Sequence, residues 1–325
     1  MSGGGSKGAF AVGAIRYLRE TKGLEFGLVA GTSTGALIAP FVVTDEIALL
    51  ESLYTSVRNA DLLAPVSVQT SWKRGYVYDT KPMEKLLAKT IDAERARRVL
   101  ESEVPAFLSA VNLQTGRLTY FQAGGSDNGR SEGPHADLVR VKDRAMLLAA
   151  IVASTNQPVF MPAVCFAPKE RPVREFVDGG VREYAPIHVA IANGASEVYA
   201  ILHTPAPAGK AVREGQIKGL TAVAGRALEL LIDEIGESDL QKALLYSEAA
   251  TYLESVRRNA RELGLTTEQI TQLFAGANPF VGRRAVTIHV IRPEGELPCS
   301  VLDFDPKSMK ALVALGAQRA EELLG

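Results

Sequence analysis

The chain of 325 residues holds only two cysteines, Cys165 and Cys299. Two isolated thiols build neither a disulfide framework nor a metal-ligand spacing, and they fit a reducing compartment. Net charge is nearly absent too, with 36 Lys and Arg against 37 Asp and Glu. That balance removes any global attraction to nucleic acid or to an anionic membrane and leaves only local patches. No apolar run reaches the roughly 20 residues of a spanning helix; the longest is "AMLLAAIVAS" at 145–154. The first residues lack a basic stretch followed by an apolar one, so no secretory leader is expected. Aromatics make up 6% of the chain, with one tryptophan, so the core must rest on Ala, Val, Leu and Ile. These deficits predict a cytoplasmic protein, soluble or at most peripheral to a membrane.

The pattern along the chain is that of an α/β protein. "FGLVAGTSTGALIAPFVV" reads as a strand over Phe26–Ala30, a glycine turn and a helix from about Thr34. A second helix is expected from Thr44, and Asp79 or Thr80 caps a third that runs to Ala88. The stretch between them, 61–80, has no clear period. Residues 104–122 read as two strands joined by a turn at Gln114–Gly116, followed by an exposed Gly/Ser/Asp loop. A helix over Lys142–Ser154 comes next, then strand, glycine turn, short helix and strand over 174–202. Helical periodicity fills 215–263 and 266–275, and "RAVTIHVIRP" and 306–324 supply a closing strand and helix. The alternation of strands and helices predicts a three-layer α/β/α fold with a mostly parallel central sheet. One domain over 1–325 is expected: an α/β core over 1–208, a helical elaboration over 209–280, and the closing strand and helix over 281–325. No internal repeat divides it.

Glycine, with 29 residues, is plentiful and clustered. In a packed element it costs roughly 0.5–1 kcal/mol relative to alanine, so clusters imply sharp turns or close approach to a ligand. "GTSTG" (Gly31, Thr32, Ser33, Thr34, Gly35) fits G-x-S-x-G between an apolar strand and a helix, the context that exposes a nucleophilic serine on a strained elbow. The bare pentapeptide also fits an ordinary strand-to-helix turn. A serine hydroxyl needs a base. Of four histidines, His289 and His203 read as strand or strand-end packing, His135 as a solvated loop residue, and His188 stays a candidate because it opens a helix near "VDGG". Asp178 is the better partner: it ends an apolar strand and precedes Gly179 and Gly180, although "DGG" is also a common turn. The opening "GGGSKG" presents bare amides to a helix start, where an oxyanion would be held. Gly3, Gly5 and Gly8 also match a dinucleotide fingerprint. That reading fails because Glu25, the acid at the right offset, precedes its strand. No cofactor is expected.

In this order, "GGGSKG", "GTSTG" and "VDGG" resemble the patatin-like phospholipase family. The likeness continues in "IVASTNQPVFMPAV", "ANGASEVYAI" and "LPCSVLDFDPKSMKALVALG". The resemblance implies a Ser–Asp dyad without histidine, with Ser33 as nucleophile and Asp178 as its base. It implies an oxyanion hole at the Gly4 and Gly5 amides, in a loop shaped by Gly3 and Gly8 with Lys7 at the family's basic position. Lys7 reads equally as a solvent-facing lysine or as a support for the loop or a phosphate contact. The implied activity is hydrolysis of phospholipid or other acyl-ester lipid, with no metal, no nucleic-acid partner and membrane contact limited to the surface. Two other functions fit the same motifs: a lipid-binding scaffold without turnover, and a soluble short-chain esterase or thioesterase. Apolar segments 36–43 and 159–166 are candidates to line an acyl groove, and the helices of 215–263 to form a cover or a membrane-facing surface; both also read as plain core or a solvated bundle. Two departures from the family stand out. Only "MS" precedes the glycine loop where members carry an apolar strand, which predicts a gap in the sheet. Tyr184 stands where a small polar residue is common, either narrowing the site or packing on a helix.

Overall fold

The computed structural model describes every residue except 127–128, 130–135, 167–172, 210–214 and 276–283. The chain opens on a tight 3-10 turn, Gly5–Lys7, that runs into α1 (Gly8–Arg16). Next come β1 (Val29–Thr32), α2 (Thr34–Val43), α3 (Ile47–Tyr54) and the one-turn α4 (Asn59–Leu62). An excursion of β2 (Ala64–Pro65), α5 (Val68–Arg74) and β3 (Tyr78–Asp79) precedes α6 (Lys81–Thr90) and α7 (Ala93–Leu100). β4 (Ala106–Asn112) and β5 (Leu118–Ala123) are followed by β6 (Ala136–Arg140), α8 (Arg144–Thr155), β7 (Val164–Phe166) and β8 (Arg174–Asp178). A second 3-10 turn, Gly179–Val181, leads to α9 (Ile187–Ala192) and β9 (Glu197–Ile201). The last third holds α10 (Leu220–Glu262), α11 (Thr267–Leu273), β10 (Thr287–Ile291) and α12 (Pro306–Leu324).

Local chemistry accounts for most of these boundaries. Asp143 caps α8 by accepting from the Met146 amide at 2.8 Å, and Asp79 accepts from the Lys81 amide at 2.9 Å where α6 begins. Thr44 ends α2 instead of opening the next helix: its hydroxyl donates to the Pro40 carbonyl at 3.0 Å, and α3 starts only at Ile47. β1 begins at Val29 rather than Phe26, where pairing with Ala106 sets in. The exposed loop expected after β5 and His135 within it fall partly or wholly outside the described residues.

The sheet is mixed, not mostly parallel. Its path runs β6-β5-β4-β8-β7, with β1 also on β4. β1/β4 and β5/β6 are parallel, whereas β4/β5, β4/β8 and β7/β8 are antiparallel. The reason lies in connection length. Five residues between β4 and β5 allow only a hairpin, because a parallel return needs a crossover of a dozen residues or more. A separate parallel pair, β9/β10, carries the late strands.

β4 is buried along its whole length, which requires cover on both faces. Ala106, Leu108 and Ala110 belong to the main core with α1, α2, α8 and α12, while Phe107 packs with Tyr120 and Val189 of α9 on the other face. The result is an α/β/α arrangement. α10 extends from it for 43 residues, about 65 Å at the helical rise, as a C-terminal helical extension. Among the described residues no helix is long and apolar enough to cross a membrane.

Candidate functional site

One edge of β4 is shared end to end by two strands, and this brings Ser33 and Asp178 together. β1 runs parallel to β4 and its last residue, Thr32, faces Ser109. β8 runs antiparallel on the same edge and its last residue, Asp178, faces Ala110. The two strands therefore meet carboxyl end to carboxyl end, a point where side chains from both converge. The Ser33 hydroxyl lies near enough to the Asp178 carboxylate to favour its ionised form.

Ser33 turns the chain from β1 into α2 with φ 55° and ψ −121°, a backbone conformation rare for a residue with a side chain. Such strain costs about 1–3 kcal/mol and persists only where neighbours over-determine it. The glycines on either side follow from crowding: a Cβ on Gly31 would lie 2.2 Å from the Gly35 carbonyl oxygen, and one on Gly35 2.5 Å from that of Met1. Thr32 holds the strand end through its hydroxyl contact with Ser109 Oγ at 2.6 Å, and Thr34 starts α2 with its hydroxyl bonded to Tyr54. Ser33 is 7% exposed and Asp178 2%. Burial pushes the Asp178 carboxyl up from 3.8 to about 6, against the opposing pull of the nearby Ser33 hydroxyl and of the Gly180 amide, which donates to it at 2.7 Å. Gly179 fits directly over Ser109, where a Cβ would meet its hydroxyl at 2.2 Å.

The end of α8 was not singled out by sequence reasoning, yet it holds both groups. The Ser33 amide donates to Ser154 Oγ at 3.0 Å, and the Asp178 amide donates to the Asn156 carbonyl at 2.9 Å. The only hint was the segment "IVASTNQPVF" itself, which lacks any pattern tied to chemistry.

The glycine loop lies beside Ser33; a Cβ on Gly3 would sit 3.1 Å from that of Ser33. The Gly3 amide donates to the Tyr184 carbonyl at 3.3 Å, Ser6 to Val301 at 3.0 Å and Lys7 to Gly4 at 3.1 Å. Among the described residues the Gly4 and Gly5 amides find no such partner. Lys7 is buried, not solvent-facing, and Gly8 opens α1 against Thr34. Tyr184 is buried between the loop and α10, its ring filling the space beside Gly3 and Gly236, so it packs on the helix and on the loop together.

His203 has a larger part than a strand-end residue. It is wholly buried, and its Nδ1 lies 2.5 Å from the Gly3 carbonyl oxygen and 3.1 Å from Ser2 Oγ. A carbonyl only accepts, so Nδ1 carries the proton and donates. Burial pulls its pKa down to about 4, so the ring stays neutral and keeps bracing the loop. His188 lies on α9 against the Tyr246 ring, and His289 pairs with Glu197 at 2.9 Å.

A cavity of about 120 Å³ opens from Gly5, Ser33 and Thr34. Leu37 and Phe41 line it from the segment 36–43 and Met161 from 159–166, with α3 and α6 closing the far side. A larger cavity, about 420 Å³, lies between β1 and β9 and does not reach Ser33. Met1 and Ser2 line it between β1 and β9: Thr32 donates to the Met1 carbonyl at 3.2 Å and Ser2 to that of Ile201 at 3.0 Å.

Set against known proteins, residues 1–191 match the family described as patatin-like phospholipase. No curated protein matches. Among solved structures the chain is similar to VipD from Legionella pneumophila, with 12% identity and a TM-score of 0.41, over 99% of this chain and 65% of that one. The chain thus spans just under two thirds of that protein's length.

Proposed function

The chain belongs to the patatin-like phospholipase family, and from that premise we propose that it is a serine lipid acyl hydrolase working through Ser33 and Asp178. The observation that carries the reading is the meeting of the β1 and β8 ends, which sets Ser33, a lining residue of an apolar cavity, beside the buried carboxylate of Asp178. As Ser33 Oγ attacks the ester carbonyl carbon, Asp178 takes its proton. The electron pair of the C=O bond moves onto oxygen, where the Gly4 and Gly5 amides receive it. Collapse breaks the bond to the alcohol, which leaves with the proton from Asp178. Water then attacks the acyl-serine, Asp178 again accepts a proton, and the fatty acid is freed as Ser33 regains its hydrogen.

Each part has a physical reason. A carboxylate is ordinarily too weak a base, and burial that raises it to about 6 brings it toward the operating pH. Preorganised amides are worth about 2.7–4 kcal/mol each in such a site. The test is labelling by a fluorophosphonate with the adduct mapped by mass spectrometry, alongside the Ser33→Ala and Asp178→Asn variants. Labelling at Ser33 and loss of ester turnover in both variants are expected. Turnover retained by Ser33→Ala overturns the assignment.

A further inference from the structure

The single tryptophan of the chain, Trp72, is 90% exposed, and Val68, one helical turn before it, is 88% exposed. Both sit on one face of α5, a helix with no buried residue, so neither side chain serves the core. An exposed indole and valine held in register on a helix with no buried residue add no apolar burial to the core. From Leu62 to Tyr78 the only charges are Lys73 and Arg74, both cationic and both in the last turn of α5.

The excursion that carries α5 starts at the wall of the Ser33 cavity. Leu62 and Leu63, just before β2, line that cavity, as does Met161. The Phe160 carbonyl accepts from the Val77 and Tyr78 amides at 3.0 and 2.8 Å, tying the other end of the excursion next to the lining residue Met161. Val159, also exposed, lies beside it, and the second turn of α10 approaches the Phe160 ring. Apolar tips, an amphipathic indole and two cations beside an apolar opening match an anionic phospholipid surface: rings settle at headgroup depth, and each nearby cation adds attraction.

We propose that α5 is an interfacial anchor that docks the chain on an anionic bilayer, with Val68 and Trp72 entering the headgroup–acyl boundary and the cavity mouth facing the lipid. The proposal rests on the lipid hydrolase reading and names where its substrate is met.

Trp72 is its own reporter. The Ser33→Ala protein, which leaves the lipid intact, is titrated with vesicles of phosphatidylcholine alone or with equimolar phosphatidylglycerol, and emission is followed. A move to shorter wavelength, stronger on the anionic vesicles, reduced by salt and quenched by brominated acyl chains, is expected. Val68→Asp should weaken partition roughly tenfold or more, and Lys73→Glu more than the roughly fivefold that losing one cation costs. Trp72→Ala, followed by co-sedimentation, should weaken it as well. Emission unmoved by either vesicle, or undiminished partition of Val68→Asp, overturns the anchor. So does an emission shift driven by protein concentration without lipid, which would mean a second copy covers the face. With Ser33 intact, Val68→Asp should hydrolyse a soluble butyryl ester at the parental rate. Absence of that turnover in the parent, with the lipid-induced shift present, would sink the hydrolase reading and leave the anchor standing.

Discussion

The burial that lifts the Asp178 carboxyl from 3.8 to about 6 opposes folding at neutral pH, and replacing Asp178 with asparagine measures by how much. Between those two values the folded state holds a proton that the unfolded state has released. The favourable contribution is therefore complete below pH 3.8 and is lost as pH rises through about 6. At pH 8 the deficit is about 3 kcal/mol, and at pH 5 about half of that, using 1.36 kcal/mol per tenfold change in proton affinity. Asparagine keeps an oxygen for the Gly180 amide and removes the charge, so Asp178→Asn should stabilise the protein by about that amount. At about 2 °C per kcal/mol for a chain of this size, the melting temperature should rise about 6 °C at pH 8 and about 3 °C at pH 5. Turnover should fall by about 10³-fold or more, because the proposed base is gone. Thermal scans of both proteins across pH 5–8, with ester hydrolysis in parallel, decide it. A difference in melting temperature that does not change with pH, or an asparagine variant that melts lower at pH 8, would refute the reasoning.

Other outcomes follow from the same geometry. The pH profile of kcat/KM should fall on the acid side with a midpoint near 6, since only the ionised Asp178 accepts a proton. His203→Phe should lower kcat by about tenfold or more with a smaller change in KM, because it releases the loop that carries Gly4 and Gly5 while His203 itself does not line the cavity; equal changes in both would mean general misfolding. Asp239 Oδ2 accepts from the Tyr184 and Ala185 amides at 2.9 and 3.2 Å, so Asp239→Ala should destabilise by about 2–4 kcal/mol, read from denaturant midpoints. Among nitrophenyl esters, rates should rise from acetyl toward longer chains as the cavity beside Ser33 fills with methylenes, each worth about 0.8 kcal/mol when buried. A sharp preference for acetyl would argue against a lipid substrate.

The sequence alone determined the nature of the local pieces. Glycine spacing around Ser33 signalled an elbow because side chains at Gly31 and Gly35 have nowhere to go, and "VDGG" signalled a strand-to-turn corner at Asp178. Capping chemistry at Asp79 or Thr80 and the periods of 142–154 and 306–324 placed helix starts within a residue or two. These properties are set by neighbours a few positions away, so a linear reading reaches them. Strand direction is not: alternation of strands and helices suggested a parallel sheet, but the short β4–β5 connection and the return of β8 along the same edge as β1 made it mixed. That sharing of one edge by two strands, set by long-range pairing, brings Ser33 and Asp178 to the same point of the sheet. The same distance in sequence hid the His203 bond to Gly3, the support from Ser154 and Asn156, and the burial that lifts Asp178. Desolvation and second contacts belong to residues that meet only after folding, and no period or motif encodes them.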